Sequence, residues 1–502
     1  MAQRDVVRAG RRVGGLAALA VTLIAAVSAC GGVEPLALPQ PGERSTPRAA
    51  TPEPATPQGT VSVAYPDVPA EWHGARGDDL AATDLAALWG LPLYRYGPDG
   101  VLRPGLVEQF TIDGSQGAWA VEFTLREGEW SDGTPVTADD VVATVEVLRA
   151  GPREAEFAVI QAARAVDDRI VRMEFEAPYP RWPHLLSAAP GVLPAHVLAE
   201  VGLDPYVDAV PVSGGWFRLE QFDPGRSARF VAHDTGPLGA PHLEAVEIAF
   251  TPSYETALGL LDRDRVDAVA GHLALNPVGR AERLEGVEAA APLGGTMVVL
   301  EWDRDVDPAV RRSISSVIDV SQLVEGLLGD SGEVATSPIP GVDGPWPAEG
   351  RSSPEQRQIG TLKVLLPRWH EVTGFTSRAL QRDASVLEGS FEIVSLETPD
   401  FVTSAREEAD LVLRIRRTGP RPPLAALAEE VTPELRAADA ATVPGARRAQ
   451  PGLEQLFEEA LFRPLYRAGV AHAWDPEVDR IRPSAWPGIV FWNAGEWRLA
   501  EP

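Results

Sequence analysis

Residues 119–141 read WAVEFTLREGEWSDGTPVTADDV, and the reading of this stretch decides the fold. Trp119, Val121, Phe123 and Leu125 alternate with Ala120, Glu122, Thr124 and Arg126, the period of two expected of a strand with one buried face. Residues 127–135 then carry Asp132-Gly133 and Thr134-Pro135, pairs that reverse a chain because glycine tolerates unusual dihedrals and proline pre-sets its own. Thr137 stands three residues ahead of Asp140, so a hydroxyl can cap the first free amides of a helix while a carboxylate returns the bond. Val141, Val145 and Leu148 repeat at helical spacing and share one face. Strand, reversal and capped helix in succession predict an α/β unit. Every polar residue here has a turn or a cap to serve, so the stretch predicts scaffold and no ligand site.

Upstream, Arg4, Arg8, Arg11 and Arg12 precede an uncharged apolar run, residues 14–29, ending in Val27-Ser28-Ala29-Cys30. A basic region followed by an apolar one is an export signal. The run falls short of the roughly 20 apolar residues that cross a bilayer. Its end resembles a bacterial lipobox, which implies cleavage after residue 29 and lipid attachment to Cys30, the one cysteine in the chain. With Cys30 lipidated no thiol remains for a disulfide, a thiolate metal site or a nucleophile. Residues 30–59 are rich in Pro, Thr, Ala and Gly without apolar period, as in a tether. The predicted location is the outer face of the cell membrane, with the lipid as the sole membrane contact.

The chain has 502 residues, 44% hydrophobic and 23% charged, with a net charge of -27. Such an acidic balance excludes nucleic acid as a partner, because phosphate binding needs a basic face. No enzyme or metal motif emerges. The single lysine, Lys363, lacks the glycine spacing of a phosphate loop, and no G-x-S-x-G elbow occurs. His370-Glu371 is not followed by a second histidine at zinc-protease spacing, and the eight histidines read as surface or turn residues. The expectation is a binding protein without catalytic residues, metal or cofactor.

The run 123–141 strongly resembles the signature of family 5 extracellular solute-binding proteins, the dipeptide, oligopeptide and nickel-type receptors of ABC importers. Leu93-Tyr94-Arg95-Tyr96, Pro178-Tyr179-Pro180, Gly214-Gly215-Trp216 and Asp264-Arg265-Val266-Asp267 resemble further stations of that family. The resemblance implies an α/β, two-lobed periplasmic-binding-protein fold with an extra subdomain and a hinge. It implies a first lobe of 60–85, 208–291 and 475–502, a second subdomain of 86–207 and a third domain of 292–474. A peptide or other small solute is then expected between the lobes, with an ABC permease as membrane partner. The same scaffold also serves lipoproteins that act in cell-envelope glycolipid assembly, through an envelope-assembly protein in place of a permease, and that is the alternative.

Two departures bear on specificity. Where the family carries an Asn-Pro-Asp-Tyr-Trp-like run, this chain has His233-Asp234-Thr235-Gly236-Pro237. Where many peptide receptors present an aromatic and an amine-pairing Asp after a strand, the strand 409–417 is followed by Thr418-Gly419-Pro420. Arg414 and Arg416 share one face of that strand instead. Trp302 ends the apolar run 297–301, where the family chain enters the cleft. The predicted ligand residues are therefore Trp302, Arg414 and Arg416, with a preference for an anionic group over a free amine, since an Arg fork pairs with carboxylate or phosphate. Trp369, Trp474, Trp486, Trp492 and Trp497 are further aromatic candidates for the region between domains, or core.

Overall fold

The computed structural model describes residues 44–45, 55–75, 79–98, 101–114, 119–151, 153–187, 190–337, 344–350, 353–368, 370–396, 409–417, 457–484 and 490–500. The stretch 119–141 folds as read. Trp119–Leu125 is a strand, β6, with Val121, Phe123 and Leu125 buried. It lies between β5 (Val107–Asp113) and β8 (Ile170–Phe175), with β1 (Arg44–Ser45) beyond β5 and β7 (Ile160–Asp167) beyond β8, all antiparallel. The helix Ala138–Arg149 follows, and Thr137 N donates to Asp140 Oδ2 at 2.7 Å. The same oxygen accepts from Trp130 Nε1 at 3.0 Å, and Oδ1 accepts from Ala195 N at 2.7 Å. One buried carboxylate thus joins the turn, the helix start and the helix Ala195–Val201. A short hairpin, β3 (Tyr94–Tyr96) with β4 (Leu102–Pro104), adds Tyr94 and Leu102 to this core.

A seven-stranded sheet gathers segments from across the chain. Its order is β13 (Glu288–Ala290), β20 (Ala471–Trp474), β12 (Ala268–His272), β2 (Thr60–Tyr65), β11 (Ala245–Phe250), β10 (Ser227–Ala232), β9 (Phe217–Asp223). The central β2 is parallel to both β11 and β12. A parallel strand covered on both faces is apolar along most of its length, as Val61, Val63, Ala64 and Tyr65 are. The six-stranded sheet runs β15 (Gly332–Val334), β19 (Phe462–Ala468), β14 (Thr296–Trp302), β18 (Leu411–Arg417), β16 (Gln358–Pro367), β17 (Glu388–Leu396). Here β16 is parallel to β17 and β18, and β14 is antiparallel to its neighbours. The helices Pro308–Val317, Val320–Leu327 and Glu371–Asp383 bring Ile314, Leu323 and Leu380 into the core that Val298, Leu300 and Leu413 share. Asp307 starts the first of them, accepting from Ala309 N at 2.7 Å ahead of Pro308.

Among the described residues the chain passes between these two sheets at two places, 291–295 and Gly469-Val470. The crossings run side by side, with Val470 N donating to Pro292 O at 3.3 Å. A Cβ on Gly469 would stand 2.4 Å from Ala291 O, so only glycine lets the two crossings approach this closely. Sheet membership corrects two expected boundaries. β20 pairs with β12 and β13, so the return to the first lobe comes at 469–470, ahead of residue 475. The helix Leu80–Trp89 is continuous across the expected break at 85, because Leu85, Leu88 and Trp89 bury against one core.

Candidate functional site

Parallel strands present the loops that follow them along one edge, and ligands bind open α/β sheets at that carboxyl edge. In this molecule β2 ends at Tyr65 and β12 at His272, while β16 ends at Pro367 just ahead of the helix Glu371–Asp383. The two sets of ends face each other beside the double crossing. Leu273 N donates to His370 Nδ1 at 3.3 Å, and Val372 N donates to Leu273 O at 3.4 Å. Arg280 Nη1 meets Glu371 at 2.7 Å and Nη2 meets Glu255 at 2.8 Å, so one guanidinium holds a carboxylate from each lobe.

On the first-lobe side, Tyr65 OH donates to Asp84 Oδ2 at 2.7 Å, and its ring lies so close over Gly271 that a Cβ there would be 2.4 Å away. Behind it the buried His272 ring lies 5.5 Å from Tyr254, and its Nε2 is 3.4 Å from Thr251 Oγ1. Burial, with Arg280 and His472 nearby, pushes the His272 pKa down to about 3, so the ring is neutral. After β2 come three buried polar side chains, Asp67, Glu71 and His73, the last two paired at 3.1 Å. Asp79 fastens this loop to the following helix by accepting from Ala70 N at 2.6 Å and Ala82 N at 2.9 Å. Burial drives its pKa up to about 6 against the opposing pull of those amides.

The third domain carries the predicted ligand residues, and the structure separates them. Neighbouring residues of a strand point to opposite faces. Arg414 and Arg416 lie on the face of Glu301, which each meets through its Nε, at 3.0 and 2.5 Å. In register beside Met297 on that face stands Arg467, paired with Glu333 at 2.8 Å. Trp302 lies on the other face, in the core with Val298 and Leu300, and its indole N–H has no hydrogen-bond partner among the described residues. It also sits at the far end of β14, roughly 20 Å along the strand from the crossing. Arg416 is nearer that crossing, at the register of Met297, one residue from the start of β14. Trp474, Trp492 and Trp497 are buried, while Trp369, Trp486 and Cys30 lie outside the described residues.

Several polar residues of this region were not singled out by sequence reasoning. Glu301 had a signal, a lone carboxylate inside the apolar run Thr296–Trp302. The histidines correct an expectation: His73, His233, His272, His370 and His472 are buried and not on the surface. Burial lowers the pKa of His233 and, further, that of His272. Among the described residues no group of three His, Cys, Asp or Glu side chains is placed to hold a metal ion. The arrangement is one of paired ions and oriented hydrogen-bond groups at a boundary between lobes.

Two α/β lobes joined by a double crossing, with a third sheet attached to the first, define the two-lobed class of solute-binding proteins. Residues 101–357 match the family described as Bacterial extracellular solute-binding proteins, family 5 Middle, and the chain belongs to that family. It is similar to the oligopeptide-binding protein AppA of Bacillus subtilis, 22% identical over 286 residues, which are 54% of this chain and 52% of AppA. The structure of AppA with a nonapeptide superposes with a TM-score of 0.76 at 16% identity, covering 89% of this chain and 100% of AppA. LpqW of Mycobacterium tuberculosis, named as a probable monoacyl phosphatidylinositol tetramannoside-binding protein, is 27% identical over 46% of this chain and 37% of its own length. MoaA of A. tumefaciens R10, solved with mannopinic acid, superposes with a TM-score of 0.77 at 17% identity, covering 88% of this chain and 100% of MoaA. By sequence the chain spans about half the length, or less, of these curated relatives, and the structural likeness shows the fold.

Proposed function

We propose that this chain is an exported, lipid-anchored receptor that closes its first and third domains on a small solute and hands it to an ABC permease. The observation that supports this most is the meeting of strand ends from two separate sheets beside a two-strand hinge. That geometry lets a ligand stabilise the closed form by touching both lobes. In this reading residues 1–29 are removed, Cys30 carries the lipid, and 30–59 is the tether. Replacement Cys30→Ser then moves the protein from the membrane fraction to a soluble or unprocessed form, and unchanged lipid labelling would refute the anchor. The protein is a receptor and not an enzyme, so it turns over no peptide or ester.

The proposed ligand carries a carboxylate or phosphate. Arg416 stands at the cleft-ward part of β18 and shares Glu301 with Arg414, and an oxyanion can compete with that carboxylate for Arg416. Thermal-shift screening tests this, because a ligand that binds only the native state raises the melting temperature. Anionic opines and acidic peptides should raise it, and Arg414→Ala with Arg416→Ala should abolish the rise while leaving a folded protein. Stabilisation by neutral dipeptides and not by anions would reject the anionic class. The match to LpqW favours a second reading, binding of an envelope glycolipid without transport. Mass spectrometry of co-purifying material separates the two, a lipid pointing to the second reading and a water-soluble acid to the first.

A further inference from the structure

The five-stranded sheet of the second subdomain ends in two different edges. At one, β7 meets β8 with register shifts between Ile160 and Ala162 and between Ala165 and Asp167. Bulges of this kind bend an edge away from further pairing. At the other, β5 carries a single shift against β6, between Val107 and Gln109, and is regular from Gln109 to Asp113. A regular edge presents a row of unpaired backbone donors and acceptors, which natural sheets cover or blunt.

The chain covers this edge with a piece of its own N-terminal segment. Arg44 and Ser45 form β1, antiparallel to β5, with Arg44 opposite Thr111 and Ser45 opposite Phe110. That register places β1 on the regular stretch of β5, clear of the bulge. The two residues belong to the segment 30–59, whose composition reads as a tether. The sequence around them suits a short edge strand and nothing longer. Pro41 and Pro47 flank the pair, and proline, which donates no backbone bond, is confined to the edges and ends of strands. Strand addition is held by main-chain bonds, so it needs no apolar pattern in the added segment.

Two residues make a weak pairing by themselves. This one is sustained because both strands belong to one chain, at an effective concentration on the order of millimolar. Its consequence is one of reach. Arg44 lies 14 residues beyond Cys30, and Thr60, where the first lobe begins with β2, lies 30 beyond. At an extended limit of about 3.5 Å per residue, the docked tether spans about 50 Å and an undocked one about 105 Å.

We propose that residues 44–45 are a docking strand. They fasten the tether to the otherwise open edge of β5, so that an anchor at Cys30 holds the second subdomain and leaves the first and third domains free to move about their hinge. The reach rests on the proposed lipid at Cys30, and the pairing stands without it.

The test uses the Cys30→Ser chain, which has no other thiol. One variant adds Arg44→Cys with Thr111→Cys, and a control adds Arg44→Cys with Glu108→Cys. Cα partners across an antiparallel pair stand about 4.5–5.5 Å apart, inside the roughly 4.4–6.8 Å that a disulfide spans. Residue 108 lies three positions along β5, roughly 10 Å further away. Under mild oxidation the first pair should close at least about 10-fold faster than the control, read as loss of free thiol and a shift in gel mobility. Hydrogen exchange is the second measurement should a cysteine pair fail to fold. Arg44→Pro with Ser45→Pro removes the N–H donors of β1. Exchange within 107–113 should then quicken about 5-fold, the worth of one backbone hydrogen bond, with 160–167 at the opposite edge unchanged. Equal closure of the two cysteine pairs overturns the docking, and so does exchange within 107–113 that the prolines leave unaltered. If lipid labelling survives Cys30→Ser while the first pair closes, the docking stands and only the anchor is lost.

Discussion

Asp140 and Glu301 are both carboxylates drawn in from solvent that gather several donors, yet they are assembled in opposite ways. Asp140 collects an indole and two amides from residues 130, 137 and 195, all within one subdomain. Glu301 collects two guanidiniums from another strand, Arg416 lying 115 residues along the chain. The first is a hub of neutral donors made mostly by local chain reversal. The second exists only once β14 and β18 have paired. A local hub reports on whether one unit folds, and a long-range pair reports on whether distant strands have found their register.

Removing each carboxylate breaks the comparison open. Asp140→Ala leaves three donors unsatisfied, one of them buried and two part-buried. At 1–3 kcal/mol for each such group the loss should be about 4 kcal/mol. Urea unfolding followed by tryptophan emission measures it, and a loss under about 1 kcal/mol would show that water replaces the carboxylate at little cost. Glu301→Ala uncovers two cations, which cost more than amides when isolated. Arg416 retains some exposure, however, so the expected loss is smaller, about 3 kcal/mol. A double-mutant cycle of Glu301→Ala with Arg416→Ala sharpens this: coupling of about 1–2 kcal/mol is expected, and none would mean the pair forms without stabilising the sheet.

The same contrast governs what could be read in advance. Residues 119–141 were legible because strand period, turn pairs and capping box each need only neighbours. The family resemblance they carry brought with it the two-lobed architecture. Arg414 and Arg416 were legible as sharing a face, since alternation is local. Their partner was not, because nothing in residues 409–417 specifies that β14 pairs alongside in a register bringing Glu301 within reach. Trp302 shows the converse error. A tryptophan at the end of an apolar run fits cleft or core equally, and the pleat of β14 turns it to the core. The buried histidines stayed hidden for the same reason, since His272 and His472 meet only through pairing of β12 with β20.

Asp79 and His272 repeat the contrast within the first lobe at a smaller scale, and pH exposes it. Asp79 is local, bonded to residues 70, 71 and 82, and its pKa rises from 3.8 to about 6. The folded state then holds a proton that the unfolded state lacks between those values. The burial cost present above about pH 6 is relieved as pH falls, so Asp79 makes the protein more stable toward acid. His272 is set by burial, with Arg280 and the distant His472 pushing the same way, and its pKa falls from 6.5 to about 3. There the unfolded state holds the extra proton, so the stability present above pH 6.5 is lost as pH falls toward 3. Each group contributes a slope of at most about 1.4 kcal/mol per pH unit, with opposite sign. From about pH 6 to about pH 4 the two should nearly cancel. His272→Asn should unmask a stability that climbs toward acid, and Asp79→Asn one that falls, whatever each substitution costs at neutral pH. Urea midpoints across that range read the slopes directly. Three parallel profiles would mean that neither group changes its proton affinity on folding.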